Sequence, residues 1–246
     1  MSSTRDLSGV VEREGDLFDA PSGAALIHAC NSQGVWGKGV AEAIKTRYPA
    51  AFEIYRSHCE THLTNPQYKT VSTSTSTLNE VEEILELKSN DDSDDDNSDT
   101  SSNTRAIRAP EGTALIIPPQ RGDYENNSDN NGGKKHWIIC LFTSGGFGRR
   151  RSSPGVILHN TLLAVRDMKE QLALLGEGNE SKGGDNHSHN HDEAGNKDYN
   201  CKDEDEGLGM PSGLWSCRFN SGLFAVPWEL SRKVLVEEGL TVTVVN

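Results

Sequence analysis

The sequence predicts an α/β fold, in which a mostly parallel or mixed central sheet packs against helices. Short apolar segments typical of strands alternate along the chain with segments whose apolar residues recur at helical spacing. Two of the strand segments, 24–29 (AALIHA) and 137–143 (WIICLFT), are continuously apolar, which indicates buried strands. The segment 154–175 carries apolar residues at helical spacing over its whole length.

The first half of the chain predicts two strands and an interrupted helix. A short strand at 10–12 precedes the buried strand at 24–29. A helix begins over 40–45, and Tyr48-Pro49 interrupts it because proline disfavours helical backbone in the residue before it. The remaining predicted elements are a helical continuation at 50–59, strands at 113–117, 137–143, 214–219 and 240–245, and helices at 154–175 and 228–238.

Three polar segments predict disordered insertions in surface loops, at 72–105, 124–133 and 177–207. Only 34% of the residues are apolar, and the mean hydropathy is -0.62. Much of the net charge of -13 lies in the acidic run 89–99, so acidity says little about a functional site. A weak amphipathic helix pattern occurs at 78–88.

The five cysteines are widely spaced and include no CxxC pair, which predicts neither a zinc ribbon nor a disulfide framework. The first residues lack an apolar signal core, and no apolar run approaches the roughly 18 residues that span a bilayer. We therefore expect a soluble, intracellular protein without membrane association, located in the cytoplasm, the nucleus or both.

A glycine-rich loop follows the buried strand, in the segment 26–41 (LIHACNSQGVWGKGVA). Gly37 and Gly39 allow the backbone to approach a ligand closely, since glycine has no Cβ. The first amides and the dipole of the following helix favour an anion. A diphosphate is the expected ligand, and a tight turn without a ligand is the alternative.

A second loop, 220–226 (NSGLFAV), also lies between a predicted strand and a predicted helix. Two such loops at neighbouring sheet positions would hold both sides of one diphosphate. Phe224 would then cover a sugar or base, with core packing as the alternative. In the early segment EGDLF (14–18), Asp16 is a candidate acceptor for an exocyclic amine such as that of adenine, or the stabiliser of an Asx turn.

With these motifs placed, the sequence resembles the macrodomain family, and within it the fungal ADP-ribose 1″-phosphate phosphatases. The resemblance rests on EGDLF, LIHACNSQGVWGKGVA, ICLFTS and NSGLFAVPWE, which occur in the expected order. It implies one three-layer α/β/α domain over 1–246 that acts on ADP-ribose 1″-phosphate, a by-product of tRNA splicing. ADP-ribose and phosphate are the implied products.

The resemblance also implies the site residues. Asp16 would bind the adenine amine with Leu17, and Asn31 would approach the distal ribose. The two phosphate loops would span Gly34 to Gly39 and Asn220 to Val226. The implied substrate-binding residues are Gly15, Asp16, Leu17, Ile27, His28, Ala29, Gly34, Val35, Trp36, Gly37, Lys38, Gly39, Asn220, Ser221, Gly222, Leu223, Phe224, Ala225 and Val226.

For the chemistry, a positioned water is the expected nucleophile, with no metal and no cofactor. His28 is the candidate general acid or base because its ordinary pKa suits proton transfer near neutrality, and a core histidine is the alternative. Asn31 would orient the ribose or the water. Cys30 lacks the arginine that a phosphocysteine route requires, and Asp123 is a second candidate acid or a turn residue.

Two other functions remain open on the same fold, a non-catalytic reader of ADP-ribose and a hydrolase that removes ADP-ribose from proteins. The second is disfavoured because Phe224 stands where the glutamate-specific hydrolases carry an aspartate. The basic run 148–153 (GRRRSS) is interpreted as a solvated loop, or as a contact for RNA or for the terminal phosphate of the substrate. The His-rich segment 187–193 predicts adventitious metal affinity only. Otherwise we expect a monomer that binds small molecules and not nucleic acid.

Overall fold

The structure, a computed structural model, describes residues 9–72, 104–125, 133–180 and 209–246. In chain order its elements are β1 Val10–Arg13, β2 Ala25–Asn31, α1 Gly39–Arg47, α2 Pro49–Thr64, β3 Tyr68–Ser72, β4 Thr104–Arg108, β5 Ala114–Ile117, α3 Arg121–Tyr124, β6 Trp137–Ser144, α4 Pro154–Glu180, β7 Leu214–Cys217, α5 Trp228–Glu237 and β8 Val242–Val245.

Within the described residues, six strands form one mixed sheet in the order β1-β8-β7-β2-β6-β5. The neighbouring pairs from β1 to β6 are parallel, and β5 pairs with β6 in the antiparallel direction. The carboxyl ends of β1, β8, β7, β2 and β6 therefore meet at one edge of the sheet, where ligand loops of parallel sheets lie. The predicted α/β class and mixed sheet are confirmed.

The sheet has a helical layer on each face, and strand β2 shows why. Ala25 and Ile27 pack with residues of α4 and α5, whereas Leu26 and Cys30 pack with residues of α1 and α2. Alternate residues of a strand point to opposite faces, so a continuously apolar strand requires cover on both sides. The result is the three-layer α/β/α arrangement.

The predicted interruption of the first helix is also confirmed. Helix α1 ends at Arg47, and α2 begins with Pro49, where the missing amide hydrogen of proline costs no helical hydrogen bond. Tyr48 lies between them and donates its amide to Ile44. The two helices remain adjacent and cover the same face of the sheet.

Several predicted boundaries were wrong. Residues Ser72, Thr104 and Arg105, assigned to an insertion, belong to β3 and β4, which form a separate antiparallel pair. Tyr124 ends α3, and α4 continues to Glu180 into the segment assigned to the third insertion. The remainder of the three polar segments, including the predicted helix at 78–88, lies outside the described residues.

None of the helices in the described parts of the chain has the length and apolar character that crossing a membrane requires.

Asp123 has a structural role rather than a catalytic one. Its carboxylate is buried and accepts hydrogen bonds from the amides of Ala50 at 2.7 Å and Ala51 at 3.0 Å. These amides belong to the first turn of α2, which has no hydrogen bond from its own cap residue's side chain. Burial raises the pKa of Asp123, and the two amides oppose this shift. The structure therefore agrees better with the interpretation of Asp123 as a turn residue than with its interpretation as a catalytic acid.

We predict that Asp123→Asn lowers the free energy of unfolding by about 1 to 3 kcal/mol, because asparagine has one acceptor oxygen for two buried amides. Urea denaturation measures this change. Asp19→Asn, at an exposed acid, is the matched control and should change the free energy by less than about 0.5 kcal/mol. Equal stability of the two variants would contradict the capping role.

We also predict that stability falls as the pH drops below about 6.5. Burial lowers the pKa of His58, His136 and His159 below the ordinary value of 6.5. These groups bind more protons in the unfolded chain, so their contribution is complete above that value and is lost as the pH falls through it. Urea denaturation between pH 7.5 and 6 tests the slope. His136→Gln should reduce it by up to about 1.4 kcal/mol per pH unit, and an unchanged slope would contradict the assignment.

Candidate active site

A cavity of about 660 Å³ opens at the carboxyl ends of β2 and β7. We call it the main cavity, and its size is in the range of small-molecule sites. Gly37 of the first loop and Gly222 of the second loop both line it. Its lining residues are Ala29, Cys30, Asn31, Val35, Trp36, Gly37, Lys38, Gly39, Val40, Ala41, Phe147, Gly148, Cys217, Arg218, Phe219, Asn220, Ser221, Gly222, Leu223 and Phe224.

The first loop is shaped by Asn31 at the end of β2. Its side-chain nitrogen donates to the carbonyl of Val35 at 2.7 Å, and its side-chain oxygen accepts from the amide of Gln33 at 2.9 Å. The hydroxyl of Tyr55 donates to the backbone oxygen of Asn31 at 2.7 Å. These bonds turn the chain sharply after the strand and present the glycine-rich segment to the cavity.

Helix α1 begins at the cavity wall without a side-chain cap. Its cap residue, Lys38, makes no capping hydrogen bond, and the first helical residues Gly39, Val40 and Ala41 line the cavity. Gly39 adopts a φ of +62°, which glycine tolerates best. A helix start of this kind offers unpaired amides and the positive end of the helix dipole to an anion.

The second loop is held by Asn220, which adopts a left-handed φ of +65°. Its side-chain oxygen accepts from the hydroxyl of Thr143 at 3.0 Å. Its side-chain nitrogen donates to the hydroxyls of Thr161 at 2.9 Å and Ser231 at 3.1 Å. The backbone oxygen of Asn220 accepts from the amide of Val226 at 3.0 Å, which closes the loop.

Several backbone amides of the two loops lack acceptors among the residues that the structure describes. In the first loop these are the amides of residues 35–39, and in the second those of residues 221–224. Buried polar groups are normally paired, so amides left open beside a cavity are available to a ligand. The two loops therefore form opposing rows of donors.

The second loop is also tied to β1 through Glu12. Arg218, which lines the cavity, donates to Glu12 at 2.8 Å. Trp228 donates its indole N–H to Glu12 at 3.1 Å, and Arg232 lies 3.1 Å from it. These three partners lower the pKa of Glu12, with the hydrogen bond from Trp228 as the largest cause, and keep the carboxylate ionised.

The structure does not place His28 in contact with the cavity. The side chain is fully buried, its ring packs edge-on to Trp36 with centroids 4.8 Å apart, and its nitrogens lie 3.4 and 3.5 Å from the sulfur of Cys30. The prediction of a general acid or base in contact with substrate disagrees with this position. Cys30 shares the strand face of His28 and lines the cavity, whereas His28 lies two residues further from the carboxyl end of β2.

Other predicted binding residues also lie away from the wall of the main cavity. Ile27 and Val226 are buried in the core, and Gly34 packs against α2. The predicted residues outside the lining are Gly15, Asp16, Leu17, Ile27, His28, Gly34, Ala225 and Val226. The other predicted residues, Asn31 among them, are brought together around the cavity.

Asp16 forms the Asx-type turn that was the alternative interpretation of its motif. Its side chain accepts from the amide of Phe18 at 3.0 Å and caps the short 3-10 turn Leu17–Asp19. The second carboxylate oxygen lies 4.0 Å from Arg47, and the side chain is about half exposed at 54%. Asp16 therefore presents a half-exposed carboxylate, paired with Arg47, near the end of β1.

Part of the cavity wall was not predicted from the sequence. Phe147 follows β6 and Arg218 follows β7, whereas Gly148 begins the basic run 148–153 that was considered as a phosphate contact. The carboxyl-end rule for parallel strands would have indicated both positions, since the chain enters a loop there. Phe224, by contrast, lines the cavity and also packs in a small core cluster, so both of its interpretations hold.

One group of potential metal ligands occurs among the described residues, formed by His28, Cys30 and Cys140 with their ligand atoms within 4.8 Å of one another. Burial raises the pKa of the Cys30 thiol well above its ordinary value, which opposes the thiolate form that a metal requires. The same burial makes Cys30 a poor nucleophile although it lines the cavity.

Comparison with known proteins agrees with this geometry. The family model for the macro domain matches residues 27–105. The ADP-ribose 1″-phosphate phosphatase of Aspergillus clavatus is 51% identical over 96% of this chain and 94% of the relative. The enzyme of the same name from Aspergillus fumigatus is 50% identical over 97% and 94%, and that from Debaryomyces hansenii is 30% identical over 90% and 89%.

Among solved structures, the macrodomain of Mycobacterium tuberculosis DarG aligns over 96% of both chains, with a TM-score of 0.48 and 15% identity. The assignment to a family rests on the identity and coverage of the sequence relatives and not on this structural likeness. At 96% and 97% of this chain, the alignments with the two Aspergillus relatives include both glycine loops. This chain therefore belongs to the macro domain family.

Proposed function

We propose that the protein hydrolyses the phosphomonoester of ADP-ribose 1″-phosphate and releases ADP-ribose and phosphate. The observation that carries this proposal is the pair of glycine loops, which present open amides to one cavity from the ends of β2 and β7. The relatives at about half identity bear the name of this activity. Because these alignments cover nearly the whole of this chain, they support the same reaction here.

The diphosphate lies between the two loops. Its negative charge is matched by the amides of residues 35–39 and 221–224 and by the uncapped start of α1. Lys38 and Arg218 are the cations that line the main cavity in the described residues. The loop amides, the start of α1 and the two cations together favour a ligand whose negative charge lies in the middle of the molecule, as in a diphosphate between two sugars.

We assign the adenine end and the distal ribose end of the ligand from the strand order of the sheet. The adenine lies toward β1, where the half-exposed carboxylate of Asp16 accepts from the exocyclic amine, and Phe224 contacts the adenosine side. The distal ribose lies near Asn31, on the β2 side. The side-chain nitrogen of Asn31 uses one hydrogen for Val35 and has a second for a ribose hydroxyl.

Water attacks the phosphorus atom, and the bond from phosphorus to the anomeric oxygen breaks with its electron pair leaving on the ribose oxygen. The ribose oxygen takes up a proton from solvent water, and the attacking water loses a proton to solvent as its oxygen becomes part of the released phosphate. Neither a carboxylate nor an imidazole lines the main cavity in the described part of the chain. Catalysis then depends mainly on positioning and on donors directed at the developing charge, as phosphoryl transfer permits. Trp36, stacked on Tyr55 at 4.6 Å, supplies a rigid wall.

The second candidate is a non-catalytic reader of ADP-ribose. The observation that favours it is the same absence of an acid–base side chain from the lining of the main cavity within the described ranges. A reader needs the diphosphate loops and the adenine contact but no proton transfer. The two functions differ in phosphate release, not in affinity for ADP-ribose.

The test is phosphate release from ADP-ribose 1″-phosphate, with ADP-ribose affinity measured by calorimetry. We expect the wild type to do both. Gly222→Val should weaken ADP-ribose binding at least tenfold, because its side chain enters open space at the cavity. Gly155→Ala, at another glycine with open space, is the control and should bind as the wild type. Tight ADP-ribose binding without phosphate release would leave only the reader.

For His28 we predict that His28→Ala lowers the affinity for ADP-ribose and the thermal midpoint, because Trp36 loses its buried neighbour. The pH profile of turnover should keep its shape. A residue that transferred the proton itself would typically supply a factor of about 10² to 10⁴ in turnover. A loss of that size with unchanged affinity would restore His28 as the acid or base.

A further inference from the structure

A second, smaller cavity of about 130 Å³ adjoins the main one. It is lined by Gln33, Gly145, Gly146, Phe147 and Arg150, and Phe147 lines both cavities. Its volume suits a compact group such as a phosphate rather than a sugar. We call it the small cavity.

The backbone of the small cavity is fixed by two serines. The hydroxyl of Ser144 accepts from the amide of Ser152 at 3.0 Å and donates to the carbonyl of Gly146 at 2.9 Å. The hydroxyl of Ser152 accepts from the amide of Gly145 at 3.2 Å. The turn that carries Phe147 and Arg150 is therefore anchored to the end of β6.

The end of β2 is attached to the same turn. The side chain of Gln33 donates to the carbonyl of Gly145 at 2.7 Å, and the hydroxyl of Ser32 donates to it at 3.0 Å. Strands β2 and β6 are neighbours in the sheet, with Asn31 opposite Ser144. The small cavity thus lies beside Asn31, on the side away from β7.

Arg150 supplies the charge. It is exposed, and its guanidinium has no acceptor among the residues that the structure describes. The two neighbouring arginines differ from Arg150 in their contacts, which provides a control. Arg151 donates to the carbonyl of Gly148 at 3.3 Å, and Arg149 lines neither cavity. An unpaired guanidinium beside a closed turn is suited to a phosphate, which it binds through two parallel hydrogen bonds.

The order of the strands indicates how the ligand is oriented along the sheet edge. Along β1-β8-β7-β2-β6, the ends of β7 and β2 carry the diphosphate loops, and Asp16 follows β1. A ligand with its adenine toward β1 therefore has its distal ribose near β2 and its last substituent near β6. We propose that the small cavity, through Arg150, binds the terminal phosphomonoester of the substrate, an inference that rests on the proposed function.

The chemistry of the substrate explains why such a subsite matters. ADP-ribose lacks the terminal phosphate, so the small cavity distinguishes substrate from product. Arg150 also contacts the oxygens that carry the transferred charge, which makes it a stabilising group for the reaction. Phe147, which lines both cavities, adjoins this phosphate.

The experiment compares wild type, Arg150→Gln and Arg149→Gln by phosphate release from ADP-ribose 1″-phosphate and by calorimetry with ADP-ribose and with its 1″-phosphate. We expect Arg150→Gln to lower kcat/KM at least tenfold and to change the affinity for ADP-ribose less than twofold. Inhibition by inorganic phosphate should weaken in the same variant. Arg149→Gln should match the wild type in every assay, and equal thermal midpoints exclude a folding effect.

Two results would overturn the assignment of the subsite. One is an Arg150→Gln variant with wild-type kcat/KM, and the other is an equal loss of affinity for ADP-ribose and its 1″-phosphate, which would indicate a general charge effect. If the wild type released no phosphate, the proposed function would fail, and the subsite would be decided by binding alone. In that case, the assignment of the subsite requires that the wild type bind the 1″-phosphate more tightly than ADP-ribose and that Arg150→Gln bind the two ligands equally.

Discussion

The buried carboxamide of Asn220 is the interaction on which the site depends. It joins Thr143 of β6, Thr161 of α4 and Ser231 of α5 at one point, and its backbone closes the second loop. Each of these polar atoms is buried and has a partner, and a lost partner would cost about 1 to 3 kcal/mol. Asparagine also accepts the left-handed backbone conformation that the loop requires there. The loop is thus an extension of the core and is positioned before any ligand binds.

The opposite wall of the cavity is equally continuous with the core. Trp36 stacks on Tyr55, and Tyr55 stacks on Phe142 of β6 with centroids 5.9 Å apart. His28 lies beneath Trp36 and supports it from the strand. A hydrolase whose cavity wall carries backbone donors and aromatic rings relies on fixed dipoles, which need no reorganisation during the reaction.

The fold could be predicted largely from periodicity, because the apolar strands and the helical spacing are local signals. A cavity at the ends of β2 and β7 was also predictable, since glycines such as Gly37 and Gly222 lie where loops of a parallel sheet meet. The position of His28 was not, because motif membership does not show how far a side chain lies from the end of its strand. The pairing of β3 with β4 was missed for a different reason. Its partners are separated by a long polar segment, and no local pattern records which distant strand completes a pair.

The hairpin of β3 and β4 has a consequence for how this chain can be altered. Its strands pair with each other, and β4 is attached to the helices near both of its ends, where Arg105 donates to Asn160 and Arg108 donates to the carbonyl of Leu63. Ser72 and Thr104 are partners in the register, so the chain leaves and returns at neighbouring points. Changes in the length of the intervening segment add little loop-closure entropy and leave the sheet untouched. A fluorescent reporter or an affinity tag inserted between Ser72 and Thr104 would therefore be carried without moving either glycine loop.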